Sequence, residues 1–350
     1  MQWIISRWDG PLVATKVTRQ RKKVLAQVAR GRISPENVGA VAGYNPRAVT
    51  AMKQLIVNAD DFGMAPGVNR AILEAHSNGI VTSTSLLANG AAFDEAAAAA
   101  RANPSLAIGV HLNLTQGRPL SDPARLGALV NPAGEFIGTS EALYMRMVAG
   151  RVALDAAERE FRAQIERVLA AGIRPTHLDG HQHIHVWPPI FALTARLAAE
   201  YGMAGVRSPR ERRVGLPGLW RRNARVRGKI LVQAGVGLGL AFLSVASRAA
   251  LLAAKVATPD YFYGVSATGY LDRGALEDVL RDVPDGVSEL MCHPGYVDAA
   301  LERVETRLVR QREMELDAVG GPDARNLAAR FGVELVTYRA LAGAWLGGKQ

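Results

Sequence analysis

A chain of 350 residues can bury a full core in one large domain or two smaller ones. Its one cysteine, Cys292, excludes a disulfide framework and fits a reducing, cytoplasmic compartment, and residues 1–15 lack the apolar stretch and small-residue cleavage site of a secretory leader. The net charge of +10 sits in two patches, +8 over residues 1–53 and +8 over residues 207–229, so the high pI does not describe the rest of the surface.

Residues 1–51 read as a basic appendage with too little apolar content for a core; a short helix over 18–32 is the one element expected there. Met52 then looks like a fresh start, because a buried strand follows at once. From there short apolar runs alternate with amphipathic helices. Strands are expected at 55–59, 82–88, 107–114, 176–178, 205–207, 288–291 and 333–337. Helices are expected at 68–78, 93–102, 154–171, 190–201, 303–319 and 324–330, and the stretch from 115 to about 138 reads as loop. Strands alternating with helices imply parallel βαβ units. Seven or so of them predict an α/β fold of the TIM-like barrel class, seven-stranded or distorted, over residues 52–345. Polar residues just past the strand ends agree with this, since a barrel gathers those ends on one face: Asp60-Asp61, Asn89, His111, Asn113, Asp179, His181, Arg207 and His293.

The densest chemistry lies at 176–185, where His177, His181, His183 and His185 fall within nine positions beside Asp179. Imidazoles with a carboxylate at this density suit a borderline divalent cation such as Zn²⁺, with an acceptor left over to orient a ring. Asp60 and Asp61 are adjacent at a strand end. Alternation would point them apart, one toward a metal and the other free to act as a base. His111 comes late in an apolar strand. His293 is stopped by Pro294-Gly295 and is free to face the same mouth, whereas Cys292 points the other way into the core.

Five stretches together carry a resemblance: LIVNADDFG (55–63), GIVTSTS (79–85), GVHLNL (109–114), PTHLDGHQHIH (175–185) and MCHP (291–294). In this order, across about 52–340, they resemble the YdjC-like carbohydrate deacetylases, the family of chitooligosaccharide deacetylase. The resemblance implies a TIM-like barrel and removal of an N-acetyl group from an amino sugar with one divalent metal ion, Zn²⁺ or Mg²⁺. It also implies Asp61, His111 and His181 as metal ligands, Asp60 as general base and His293 as general acid. Asn113, Asp179, His183, His185 and Arg207 are candidates to orient those groups or to touch substrate. Gly180 stands where a serine is common in the family, which widens the loop without removing a ligand.

The segment 207–257 is an insertion relative to the oligosaccharide-acting members. Its basic run precedes eighteen uncharged residues at 230–247, barely long enough to span a bilayer and diluted by glycine and serine. A buried helix pair is one reading; an interfacial segment, with arginines on anionic headgroups, fits the order of charge and apolarity better. With that insertion the chain resembles the hopanoid-biosynthesis-associated subgroup. This implies an N-acetylglucosaminyl lipid substrate and a peripheral place at the inner face of the cytoplasmic membrane. A homodimer is compatible with the sequence. Phosphoester cleavage at the same metal site is disfavoured by the lack of a Gly-rich phosphate cradle. A nucleic-acid partner is not expected, because Trp3, Trp8, Tyr44 and Trp220 are too few to interleave the basic runs.

Overall fold

The structure is a computed structural model that describes residues 52–212, 216–245 and 247–342. The expectations for residues 1–51, including the helix at 18–32, lie outside the described residues.

Eight parallel strands form one sheet: β1 (Lys53–Phe62), β2 (Ser83–Leu86), β3 (Ala107–Leu112), β4 (His177–Gly180), β5 (Gly205–Val206), β6 (Tyr261–Tyr263), β7 (Gly286–Cys292) and β8 (Val333–Val336). The spatial order is β5-β4-β3-β2-β1-β7-β6, with β8 also paired to β1. β7 runs along one side of β1 from Lys53 to Ala59. The other side is divided, β8 taking Lys53–Ile56 and β2 the residues from Asn58 onward. Between the outer strands run two isolated parallel bridges, from Gly205 of β5 to Ala257 ahead of β6 and from Glu211 beyond β5 to Phe262 of β6. The sheet is thus a distorted α/β barrel whose last seam is held by single bridges rather than a continuous ladder.

Helices cover the outside: α1 (Pro66–Ser77), α2 (Phe93–Ala102), α3 (Ser140–Val148), α4 (Leu154–Ala170), α5 (Pro188–Glu200), α6 (Leu216–Arg222), α7 (Arg227–Leu243), α8 (Ser247–Ala254), α9 (Arg273–Asp282), α10 (Gln311–Val319) and α11 (Pro322–Arg330). Most expected elements are present within a few residues of their expected bounds. The helix expected at 303–319 begins only at Gln311. Val304 has extended φ/ψ, and the Thr306 hydroxyl oxygen accepts from the Leu308 N–H, which offers the backbone a turn instead of a helix. Four elements were not expected, α3, α6, α9 and β6. α3 is capped by Thr139, whose side chain accepts from the Ala142 N–H, and α9 by Asp272 at the Ala275 N–H. β6 is three aromatic residues, too short for its alternation to register.

The insertion packs on the barrel along one stripe. Ile230, Gln233, Gly237 and Leu240 of α7 are buried, and the Gln233 amide donates to the Thr268 carbonyl at 2.8 Å. Among the described residues no single helix is long and apolar enough to cross a membrane; α7 and α8 reach that apolarity only together, across a 48° bend.

Candidate metal centre and its carboxylates

The centre begins with a local fault in β1. Its register against β2 shifts between Ala59 and Phe62, and Asp61 has φ +72°. A bulge of this kind re-aims side chains at a strand end. Both carboxylates therefore reach the same imidazole, with His111 Nε2 4.0 Å from Asp60 Oδ2 and 3.6 Å from Asp61 Oδ1. This corrects the alternation argument, which had the two side chains pointing apart.

His111 on β3 sits beside Asp179 on β4 in register, and its Nδ1–H donates to Asp179 Oδ1 at 2.8 Å. The Ser85 hydroxyl donates to the other Asp179 oxygen at 2.6 Å. With Nδ1 so committed, the neutral imidazole presents an unprotonated Nε2 to Asp61. Burial alone would depress this imidazole, but Asp179 and Asp60 outweigh it and raise its pKa to about 9.

His181 opens a turn, His181–Val186, that carries two consecutive left-handed residues, Gln182 and His183, at φ 53° and 56°. The turn is pinned from α3: Gln182 Oε1 accepts from the Ser140 N–H at 2.8 Å, and the Tyr144 hydroxyl donates to the His183 carbonyl at 2.9 Å. Its histidine contacts are set by Gln116. The Gln116 amide nitrogen donates to the Glu305 carbonyl, which turns its oxygen toward His181 Nε2 at 2.9 Å. Nε2 therefore carries the proton, and the bare Nδ1 faces Asp61 Oδ1 at 2.9 Å.

Asp61 Oδ1 is buried and accepts no hydrogen bond in line, although two imidazole nitrogens approach it. A carboxylate oxygen and two imidazole nitrogens that converge in this way are the donor set of a cation once the imidazoles are neutral. Asp61, His111 and His181 offer ligand atoms all within 4.8 Å of one another, as do Asp60, His111 and Asp179. The second group is occupied by Arg207, which makes the first the better fit for a metal ion. The other Asp61 oxygen accepts from Arg312 at 2.6 Å. Burial pushes the Asp61 carboxyl up, but the Arg312 guanidinium beside it more than offsets that and holds it well below the usual range.

Arg207 is fully buried. Its Nη1 and Nη2 donate to the two oxygens of Asp60 at 2.7 Å each, Nη1 also lies 2.8 Å from Asp179, and Nε donates to Glu289 at 2.8 Å. Tyr338 donates to the remaining Glu289 oxygen at 2.6 Å, and burial pushes Glu289 up to about 7 despite Arg207. Arg207 thus anchors the carboxylates from beneath and presents no surface to a substrate.

The other candidates divide. Every polar side-chain atom of Asn113 is spent on the loop to Gln116: its oxygen accepts from the N–H groups of Thr115 and Gln116, and its amide donates to Asn89 and to the Gln116 carbonyl. His185 is in the core, with Nε2 donating to the Arg207 carbonyl at 3.1 Å, and burial lowers it to about 4. It fills the space beside Gly180, where an added Cβ would lie 2.7 Å from His185 Nδ1. The His183 ring is half-buried near Phe262, and its Nδ1 has no partner. His293 follows β7, and the register of Ala59 with Cys292 sets it level with Asp60. Its backbone N–H donates to Glu315 at 2.6 Å, and its ring Nδ1, 3.6 Å from the same oxygen, makes no hydrogen bond. Cys292 is buried, its thiol toward the Asn58 carbonyl.

Sequence reasoning did not find Gln116, Arg312, Glu315, Glu289 or Tyr338. Asn58 and Ser85 lay within the quoted stretches, but only the fold shows Ser85 on Asp179 and the Asn58 amide on Asp60.

Known proteins resemble the chain over most of its length. The family model described as YdjC-like protein matches residues 54–330. A carbohydrate deacetylase of Geobacillus stearothermophilus is 36% identical over 81% of this chain and 96% of its own. A chitooligosaccharide deacetylase of Serratia marcescens is 33% identical over 83% of this chain and 99% of its own. Among solved structures, an Enterococcus faecalis protein described as a candidate cellobiose-phosphate cleavage protein superposes with a TM-score of 0.65 at 28% identity, covering 83% of this chain and 99% of that one. On sequence and fold together, the chain belongs to the YdjC-like family.

Proposed function

We propose that the protein hydrolyses the N-acetyl group of an acetylated amino sugar with one divalent metal ion, Zn²⁺ or Mg²⁺, held by Asp61, His111 and His181. The observation that carries this reading is the buried Asp61 Oδ1, which accepts no hydrogen bond although a ring nitrogen of His111 and one of His181 approach it, with a second carboxylate, Asp60, held separately by Arg207. The names of the curated relatives support the substrate class. Once bound, the cation would polarise the acetamide carbonyl and the attacking water. Asp60 takes a proton from that water; the two-point grip of Arg207 fixes where its oxygens point. His293, on the neighbouring strand end, gives a proton to the departing amine, so acetate and a free amine leave. Asp179 keeps His111 in the tautomer that leaves Nε2 bare.

The relatives' names favour a soluble chitooligosaccharide acceptor. A second reading, an N-acetylglucosaminyl lipid of hopanoid type met at the inner face of the cytoplasmic membrane, is favoured by the exposed apolar residues of α7. The test is acetate release from N,N′-diacetylchitobiose and from the N-acetylglucosaminyl lipid, with chelator and after metal is restored. Release from neither, with metal present, would refute the deacetylase reading; preference for one substrate decides between the acceptors.

A further inference from the structure

Helix α7 is uncharged from Ile230 to its end, yet it is buried on only one side. Leu231, Val232, Val236, Leu238 and Phe242 stand in solvent, as does Val245 just beyond, and Phe242 is 79% exposed. A helix on a water-facing surface carries polar residues there, and an apolar ridge of this size marks an interaction surface. The flanks have one sign. No Asp or Glu occurs between Leu216 and Lys255, and Arg221, Arg227, Lys229 and Arg248 are exposed. Arg222 is engaged instead with Asp272 and Asp278. On the buried side, Leu240 shares a cluster with Val186, Phe262 and Met291. Val186 ends the histidine-rich turn and Met291 lies two residues before His293, so the helix borders the strand ends that carry the site.

We infer that the outer face of α7 docks on an anionic lipid bilayer, with the apolar ridge at the acyl boundary and the basic flanks on the headgroups. A second copy of the chain is the poorer occupant, because a two-fold interface places like-charged flanks close together. Docking here extends the lipid-linked reading of the acceptor, bringing the site rim to the surface where such a substrate would lie, and it is measured without reference to catalysis.

The experiment is flotation of the full chain with vesicles of phosphatidylglycerol and phosphatidylcholine, against phosphatidylcholine alone, at low and high salt. The wild type should float with the anionic vesicles and be released by salt. Val236→Asp with Phe242→Asp should lower partitioning at least about tenfold, and Arg227→Ser with Lys229→Ser about tenfold or more at low salt. Acetate release from diacetylchitobiose should be unchanged in both. Absence of flotation at any salt, or flotation indifferent to the apolar pair, overturns the inference. So does a wild-type dimer, seen in sedimentation without vesicle binding, that the apolar pair dissociates. A wild type that floats but releases no acetate from any acetylated sugar refutes the proposed chemistry and leaves the docking supported.

Discussion

Arg207 holds both carboxylate oxygens of Asp60 at 2.7 Å from a position with no solvent exposure of its own. The same guanidinium serves Asp179 and Glu289, so one cation fixes three carboxylates drawn from β1, β4 and β7. A lysine offers a point charge and cannot reproduce that fork. Arg207→Lys should therefore lower turnover of a soluble acetylated sugar by about 10²-fold, the scale for a misplaced catalytic group, and leave bound metal near wild type. Arg207→Met should cost about 3–5 kcal/mol in denaturant unfolding, because it strands buried charge. A methionine variant as stable as wild type would contradict the anchoring role.

Gln116 sets the tautomer of His181, and its own orientation is fixed by the Glu305 carbonyl. Gln116→Leu should weaken metal binding about 10–100-fold, the usual effect of losing a partner behind a ligand. Gln116→Glu, which keeps an acceptor, should weaken it less. Calorimetric titration of metal into chelator-treated protein measures both, and a leucine variant with wild-type affinity would show that His181 needs no such partner.

His111 titrates at about 9 without metal, raised from an ordinary value of 6.5. To bind a cation through Nε2 it must lose that proton, so binding releases a proton below about pH 9 and apparent affinity climbs with pH up to that point. The sign is opposite for metal-free stability. A raised folded pKa gives stability that is complete below 6.5 and fades as pH rises through about 9. Proton release measured in two buffers of different ionisation enthalpy checks the first, and chelated thermal unfolding across this window checks the second. Affinity that is flat from pH 6.5 to 9 would contradict the assignment of His111.

The barrel and most of its mouth were legible because a parallel strand ends at a visible place, where an apolar run stops at a polar residue. Asp60, His111, Asp179, His181 and His293 all sit at such stops. The aim of Asp61 was not legible, since the bulge that turns it comes from tertiary pairing with β2. Arg312 and Glu315 lie on α10, and Arg312 reaches Asp61 across 251 positions of sequence that no local pattern spans. The role of Arg207 stayed open between orienting the site and touching substrate for a related reason. An arginine at a strand end looks exposed until the acids of three other strands are placed around it.

Gly180 and His185 compete for one volume. Gly180→Ser should cost about 1–3 kcal/mol, the scale of overpacking, by pushing His185 off the Arg207 carbonyl. In the Gly180→Ser, His185→Ala double variant the serine should add little beyond the cost of His185→Ala alone. A double-mutant cycle by denaturant unfolding measures this, and additive costs would show that the serine is accommodated elsewhere.

The central claim is the division of labour between adjacent carboxylates, Asp61 for the cation and Asp60 for the proton. Bound metal and acetate release should be measured together on the wild type, Asp60→Asn and His181→Ala, with diacetylchitobiose as substrate. Asp60→Asn should keep its metal and lose at least about 10²-fold in turnover, whereas His181→Ala should lose metal. If Asp60→Asn loses metal as readily as His181→Ala, or keeps wild-type turnover, the assignment is wrong.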